Sequence, residues 1–170
     1  MLVLLQELSI RNFAIIDDLT VSFSDGLTVL TGETGAGKSI IIDAVHLLAG
    51  GRGSLEFIRH GAKKAELGGL FQISNENHPI YTKLEEAGIE AEEGTIILRR
   101  DLNDNGKSIC RVNGKLVPLA VLRDIGASLI DIHGQHENQE LMDEKHHIHL
   151  LDYFAQDDLQ EVKEQYETLY

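Results

Sequence analysis

Residues 31–40 read TGETGAGKSI, a glycine-rich run that ends in a lysine, a serine and an isoleucine. The run satisfies the phosphate-loop (Walker A) pattern G-x-x-x-x-G-K-[ST] in full. Glycines allow backbone N–H groups to turn inward around phosphate oxygens, because no Cβ stands in the way. The lysine of the pattern reaches the β- and γ-phosphates, and the next hydroxyl binds Mg²⁺. The pattern predicts a nucleoside-triphosphate and Mg²⁺ site formed by Gly32, Glu33, Thr34, Gly35, Ala36, Gly37, Lys38 and Ser39.

The segments on both sides of this loop agree with that interpretation. Residues 27–31 (LTVLT) predict a strand before the loop, and SIIIDAVHLLAG predicts a helix after it. The apolar residues of this helix repeat at helical spacing: Ile41, Ile42, Val45 and Leu48. Such a helix directs the positive end of its dipole at the phosphates. The alternative is a glycine turn that merely enters a helix.

Hydrolysis requires further groups, an acidic metal ligand and a residue that orients water. Asp131 lies in the run ASLIDIH, which predicts a short strand after a helix over LAVLRDIG. It is either a second metal ligand or an ordinary residue at the end of a strand. Gln135 follows in HGQHENQ, just past the predicted strand end, where ligands bind in open α/β folds. Its amide could bridge Mg²⁺ and an attacking water, or it could simply be solvated.

The rest of the chain predicts an α/β fold with a mixed sheet around the phosphate-loop helix. Strands are expected over LVLLQELSI, FAIIDDLTVSF and AELGGLFQIS, with a bulge or close contact at Gly68-Gly69. HPIYTKLEEAGI predicts a short helix with Pro79 in its first turn and Gly88 as its stop. The pairs Asn105-Gly106 and Asn113-Gly114 favour tight hairpin turns, so residues 95–117 are expected to form an antiparallel meander.

The composition of the chain limits the partners that it can be expected to bind. The formal net charge of −13 argues mildly against a free-standing DNA-binding module, since such binding usually needs a basic patch. A local patch is possible in the meander, from Arg99, Arg100, Lys107, Arg111 and Lys115. These residues either contact DNA phosphates or form ordinary salt bridges on a solvated hairpin. A single cysteine suits a reducing cytoplasm, and no apolar run reaches the roughly 18 residues of a membrane span.

The C-terminal segment changes to long polar and charged residues from Gln139 onward. Residues 155–170 place Leu159, Val162, Tyr166 and Leu169 at coiled-coil spacing. This segment is either the beginning of a coiled coil or an amphipathic terminal helix, and residues 1–154 are expected to form the preceding domain. Five histidines at 133, 136, 146, 147 and 149 could hold a metal in principle, but no cysteine accompanies them.

Several blocks together resemble a known family. NFAIIDDLTVSFSDGLTVLTGETGAGKSIIIDAVHLLAGGRG, then RHG, LGGLF and DIHGQHENQ, resemble the N-terminal head segment of the RecN family. These are bacterial recombination and DNA double-strand-break repair proteins, within the ATPases that resemble the structural-maintenance-of-chromosomes (SMC) proteins. The resemblance covers nearly the whole chain.

The resemblance implies the N-terminal half of an ABC-type, ATP-binding head, followed by a coiled coil. It assigns Gln135 as the Q-loop residue, which senses the γ-phosphate through metal and water, with Gln139 as a less favoured candidate for the same role. Arg11 and Asn12 occupy positions whose family counterparts lie near the nucleotide, and Arg59 a position near nucleotide or DNA. The implied partners are the protein's own C-terminal head half, a second head across the nucleotide, and DNA. The implied location is the cytoplasm, in association with the nucleoid.

The catalytic parts that the family draws from its C-terminal half are missing from the sequence. No LSGG-like signature motif and no apolar strand that ends in Asp-Glu occurs in residues 1–170. This chain alone is therefore expected to hydrolyse ATP poorly or not at all. Two alternatives stay open at this point: a complete small P-loop kinase or NTPase that uses Asp131, and a non-hydrolysing, nucleotide-dependent interaction module.

Overall fold

The computed structural model describes residues 3–31 and 37–132. Loop residues 32–36, Gln135, Gln139, the five C-terminal histidines and the coiled-coil segment 155–170 lie outside the described residues, so the predictions made for them stay predictions. The boundary predicted at residue 154 lies outside them as well. The described fold falls within a compact unit, Met1–Asp131.

Six strands form one sheet in the order β2-β1-β3-β4-β5-β6, and every neighbouring pair is antiparallel. The strands are β1 (Val3–Phe13), β2 (Ile16–Ser22), β3 (Lys64–Ile73), β4 (Thr95–Asn103), β5 (Ser108–Val112) and β6 (Lys115–Val117). The helices are α1 (Lys38–Leu48), α2 (Ile80–Glu86) and α3 (Leu119–Leu129), with a 3₁₀ turn at Leu55–Phe57. No helix in the described ranges is long and apolar enough to cross a bilayer.

The strand predicted over residues 27–31 does not form in the described part of that segment, and the predicted mixed sheet is wholly antiparallel where it is described. A strand needs a neighbour to accept and donate its backbone hydrogen bonds. Leu27 and Val29 are instead 92% and 67% exposed. The apolar pattern of LTVLT therefore has no partner among the described strands.

The strand predicted around Asp131 is also wrong for its described residues, because α3 continues through Leu129. Leu122, Ile125, Gly126 and Leu129 are buried at helical spacing, so one side of the segment packs as a helix. Asp131 is exposed and lies two residues beyond the end of this helix.

The sheet buries one face, and this face positions α1. Along β3 and β4 buried and less buried residues alternate, as expected when only one side of a sheet is covered. Ala44, Leu47 and Leu48 of α1 join the same buried cluster as the inner-face strand residues. Each such leucine contributes roughly 1.5–3 kcal/mol by leaving water.

Gly68 and Gly69 allow close contacts on the two faces of β3, as one of the two predicted alternatives proposed. A Cβ on Gly69 would lie 2.6 Å from Leu48 Cδ2 of α1, and a Cβ on Gly68 would lie 2.5 Å from Ser9 Oγ. The bulge in this part of the sheet lies in β1, between Leu5 and Glu7. The predicted meander is confirmed, with Asn113 and Gly114 both at positive φ in the turn between β5 and β6.

Candidate nucleotide-binding site

Gly37 begins the described part of the phosphate loop. It is the N-cap of α1, with φ 95° and ψ −4°. A left-handed conformation costs a residue with a Cβ about 1–2 kcal/mol, so the backbone itself calls for glycine here. The Gly37 carbonyl accepts a hydrogen bond from Ile41 N–H at 3.2 Å, which begins the helix.

Within the part of the chain that the structure describes, the N-terminal end of α1 has no side-chain cap and no acidic residue in its first turn. The first N–H groups of a helix have no partner within the helix, and the dipole adds a partial positive charge of about half a unit at this end. A side-chain oxygen of Ser, Thr, Asp or Asn often accepts a hydrogen bond from one of these N–H groups. Backbone amides and a dipole at such a helix end also suit a bound anion such as phosphate.

Lys38 and Ser39 are the first two residues of α1. Ser39 is exposed and Lys38 is half-buried. Ile40 follows, where many phosphate loops have a second hydroxyl for the α-phosphate. The N-terminal end of α1 therefore holds three residues of the predicted site, Gly37, Lys38 and Ser39.

The other end of α1 closes in a Schellman motif. Gly50, at φ 97°, donates its N–H to Leu47 O at 3.1 Å, and Gly51 donates to His46 O at 3.0 Å. Two arginines then bind carbonyls of this end. Arg100 Nη1 donates to Leu47 O at 2.5 Å and to Gly51 O at 2.6 Å, and Arg123 Nε donates to Gly50 O at 3.1 Å.

The prediction that Arg100 belongs to a basic surface patch on the meander is therefore wrong. It is only 1% exposed and lies on the inner face of β4, so it cannot contact DNA. The sequence held a signal for this position. Ile96, Leu98, Arg100 and Leu102 follow the two-residue period of the buried face.

The other basic residues of the meander separate into different surroundings. Arg99 and Arg111 face each other across β4 and β5 on the outer face of the sheet. Arg111 pairs with Asp101 at 3.2 Å. Lys115 instead donates to Ala87 O and Gly88 O at the end of α2, and Lys107 lies exposed in the hairpin loop.

Arg11 lies on the same outer face and donates through Nε and Nη2 to Asp18 at 3.1 and 2.9 Å. Asn12, at φ 52°, accepts a hydrogen bond at its carbonyl from Arg59 N–H. Arg59 Nη1 in turn donates to Ile15 O at 2.6 Å. These contacts tie the β1–β2 turn to residue 59, and the nucleotide contacts expected of Arg11 and Asn12 stay predictions.

His78 is the other buried polar side chain among the described residues. Its Nδ1 accepts the Ile80 N–H at 3.2 Å, at the start of α2, and burial lowers the pKa of its imidazole. This side chain belongs to the start of α2 and not to the phosphate loop. Within the described ranges, no group of three histidine, cysteine, aspartate or glutamate residues could hold a metal ion.

Relatives agree with the resemblance seen in the sequence. The chain is 60% identical over 167 residues to the DNA repair protein RecN of Halalkalibacterium halodurans, covering 98% of this chain and 29% of that protein. It is 58% identical over 167 residues to the DNA repair protein RecN of Bacillus subtilis, with the same two coverages. The chain thus spans under a third of the length of these relatives.

Solved structures show the same fold. The Smc head domain of Pyrococcus furiosus, with an extended coiled coil and bound to the C-terminal domain of ScpA, superposes with a TM-score of 0.65 at 22% identity, over 99% of this chain and 48% of that one. A structure described for ATP-driven dimerisation and DNA-stimulated activation of SMC ATPases gives 0.62 at 22% identity, over 82% and 90%. The predicted α/β fold of an SMC-type head is confirmed.

The family model for the AAA domain matches residues 7–169, and this range includes the phosphate loop and all of α1. The chain belongs to the AAA domain family.

Proposed function

We propose that this chain is the ATP-binding N-terminal half of an SMC-like ATPase head that acts in the repair of DNA double-strand breaks. The central observation is the start of α1, where a left-handed Gly37 precedes a helix end with Lys38 and Ser39 in its first turn and with no acidic residue in that turn. This arrangement supplies backbone amides, a partial positive charge and a lysine to a triphosphate. The RecN relatives support the DNA-repair role.

In this proposal the phosphates bind at Gly32 to Ser39, Ser39 and Gln135 bind Mg²⁺, and Gln135 places the attacking water. Arg11 and Asn12 lie nearby in the completed head. Asp131 has no part in the reaction, because it follows a helix and not the apolar strand that a metal-binding aspartate normally ends. A complete small kinase or NTPase built on Asp131 therefore has no support in the described structure.

Other parts of a longer protein are proposed as the first partner. Leu27, Val29 and Ile42 are more than half exposed around the phosphate loop. Exposed apolar patches of this kind mark interaction surfaces. A C-terminal head half that pairs with residues 27–31 would cover them and complete the sheet. A second head across the nucleotide and DNA are the further partners, in a cytoplasmic, nucleoid-associated complex.

The proposal is tested by Mg²⁺-dependent binding of a fluorescent methylanthraniloyl ATP analogue to the 170-residue chain. Lys38→Ala removes a charge-assisted contact of roughly 1.5–3 kcal/mol, so we expect the dissociation constant to rise about 10- to 100-fold. Lys107→Ala is the matched control, because Lys107 lies exposed in the β4–β5 hairpin. Circular dichroism checks that both variants stay folded.

Equal affinities for wild type and Lys38→Ala would contradict the proposal. Loss of binding with the fold intact would also exclude an interaction module that uses the loop for folding alone.

A further inference from the structure

Arg100 is a charged side chain at the centre of the described fold. It lies on β4 and is 1% exposed. An isolated charge inside a protein is strongly unfavourable unless hydrogen bonds and opposite charge compensate it. Burial lowers the pKa of Arg100, yet an arginine stays protonated in proteins. Its position therefore needs a physical reason.

The compensation comes from the C-terminal end of α1 and not from a carboxylate. Arg100 Nη1 donates to Leu47 O and Gly51 O, and Nε donates to Ser108 Oγ at 2.9 Å. None of the ion pairs found among the described residues includes Arg100. The partial negative charge at a helix C-terminus, about half a unit, is the counterpart of the guanidinium.

These hydrogen bonds fix something that apolar packing leaves free. Ala44, Leu47 and Leu48 hold α1 against the sheet, but hydrophobic contact is non-directional and tolerates sliding along the helix axis. Hydrogen bonds from one rigid guanidinium to two carbonyls of the helix end set its axial position relative to β4.

The opposite end of the same helix is the phosphate site. α1 has 11 residues and so a length of about 16 Å. A helix this short moves as one body, so a displacement at Leu47 also appears at Lys38. The α3 side holds this end through close backbone contacts: a Cβ on Gly126 would lie 2.4 Å from Ala49 O. On the sheet side, Arg100 of β4 supplies the side-chain hydrogen bonds to this end among the described residues.

We propose that Arg100 is a positioning residue of the nucleotide site, which anchors the C-terminal end of α1 to β4 and thereby sets where Gly37, Lys38 and Ser39 meet the phosphates. This inference rests on the proposed function of the loop. Arg100 touches no nucleotide, so its effect is transmitted through α1.

The test compares Arg100→Met with Leu102→Ala in the 170-residue chain. Leu102 lies two residues further along β4 on the same buried face, and its truncation lowers stability without touching α1's carbonyls. Affinity for the Mg²⁺–methylanthraniloyl-ATP complex is measured where urea titrations show both variants fully folded. We expect Arg100→Met to weaken binding about tenfold, and Leu102→Ala to bind within twofold of wild type. Arg100→Lys, which keeps the charge and can still donate to carbonyls, is expected to recover part of the loss.

A second measurement does not depend on the ligand. Hydrogen exchange in the nucleotide-free chain is expected to quicken at Ile41 and Ile42 in Arg100→Met and not in Leu102→Ala. If Arg100→Met does not fold, Arg100→Lys against Leu102→Val gives the same comparison.

Wild-type affinity in a folded Arg100 variant would overturn the inference, as would equal losses in the arginine and leucine variants. Those results overturn the role of Arg100 alone, because the wild-type chain still binds the analogue. If the wild-type chain does not bind the analogue at all, the proposed function is overturned, and the inference with it.

Discussion

Gly37 and Gly106 have the same kind of backbone and different surroundings. Their φ angles are 95° and 79°, and no heavy atom of the described residues lies within 4 Å of the place where a Cβ would stand at either glycine. An alanine at either position therefore meets the left-handed penalty of about 1–2 kcal/mol and no clash. Gly106 lies in the exposed hairpin between β4 and β5, whereas Gly37 begins α1, the helix that we propose binds phosphate.

This pair separates backbone strain from function. We expect Gly37→Ala and Gly106→Ala to lose similar stability in urea titrations. Gly37→Ala can relieve its strain only by reorienting the peptide groups that face the phosphates, so its affinity for Mg²⁺–ATP is expected to fall at least tenfold. Gly106→Ala should bind as wild type does. Equal ATP affinity in the two variants would show that the amides at Gly37 do not bind phosphate.

At the scale of elements, β4 places two neighbouring arginines on opposite sides of the sheet. Arg99 is exposed on the outer face, while Arg100 is buried against α1. The outer face around Arg99 also holds Arg11 and Arg111, each paired with an aspartate. The more exposed pair, Arg11 with Asp18, contributes about 0–1 kcal/mol, so a polyanion could compete for its arginine.

The DNA hypothesis for the meander accordingly depends on Arg99 and not on Arg100. We expect Arg99→Glu to leave the urea midpoint nearly unchanged. We also expect it to weaken DNA binding, and to reduce the slope of the logarithm of the binding constant against the logarithm of salt concentration by about one ionic contact or slightly more. Arg100→Glu would place a carboxylate against the carbonyls of Leu47 and Gly51, and is expected to unfold the chain, since an uncompensated buried charge costs roughly 3–5 kcal/mol. Fluorescence anisotropy with duplex DNA at two salt concentrations measures the first effect. Unchanged anisotropy curves for Arg99→Glu would remove the outer face as a DNA-binding surface.

Local signals in the sequence predicted the elements whose structure is decided locally. The turn at Asn113-Gly114 and the end of α2 before Gly88 depend on positive φ values that few residues adopt, and both are found. The phosphate-loop pattern likewise located the start of α1. These features need no knowledge of distant contacts.

Features decided by distant neighbours were not predictable in the same way. LTVLT has the pattern of a strand, but a strand forms only beside a partner, and no described strand pairs with it. Residues 127–129 continue α3 because Leu129 joins the buried side of that helix. Arg100 was assigned to the surface by its charge, although its place in the two-residue period of β4 indicated the buried face.

At the scale of the whole molecule, exposed apolar side chains gather next to the phosphate loop. Leu27 is 92% exposed and Leu30 is 41% exposed, on the segment that leads into the loop. The chain spans 29% of the length of its RecN relatives, so most of such a protein lies outside the residues compared. An arrangement in which another segment pairs with residues 27–31 accounts for both the strand-like pattern and its exposure.

Binding of ATP and its hydrolysis require different groups. The chain has the sequence pattern of a triphosphate-binding loop, but residues 1–170 contain no LSGG-like motif and no apolar strand that ends in Asp-Glu. Phosphoryl transfer needs the leaving and attacking oxygens aligned and the developing charge compensated, which the loop alone does not do. We expect phosphate release by the isolated chain at saturating Mg²⁺–ATP to equal that of Lys38→Ala, while the analogue titration shows that the wild-type site is occupied. Turnover that depends on Lys38 in the isolated chain would mean that the catalytic groups lie within these 170 residues, and would make Gln135 and Asp131 the first positions to substitute.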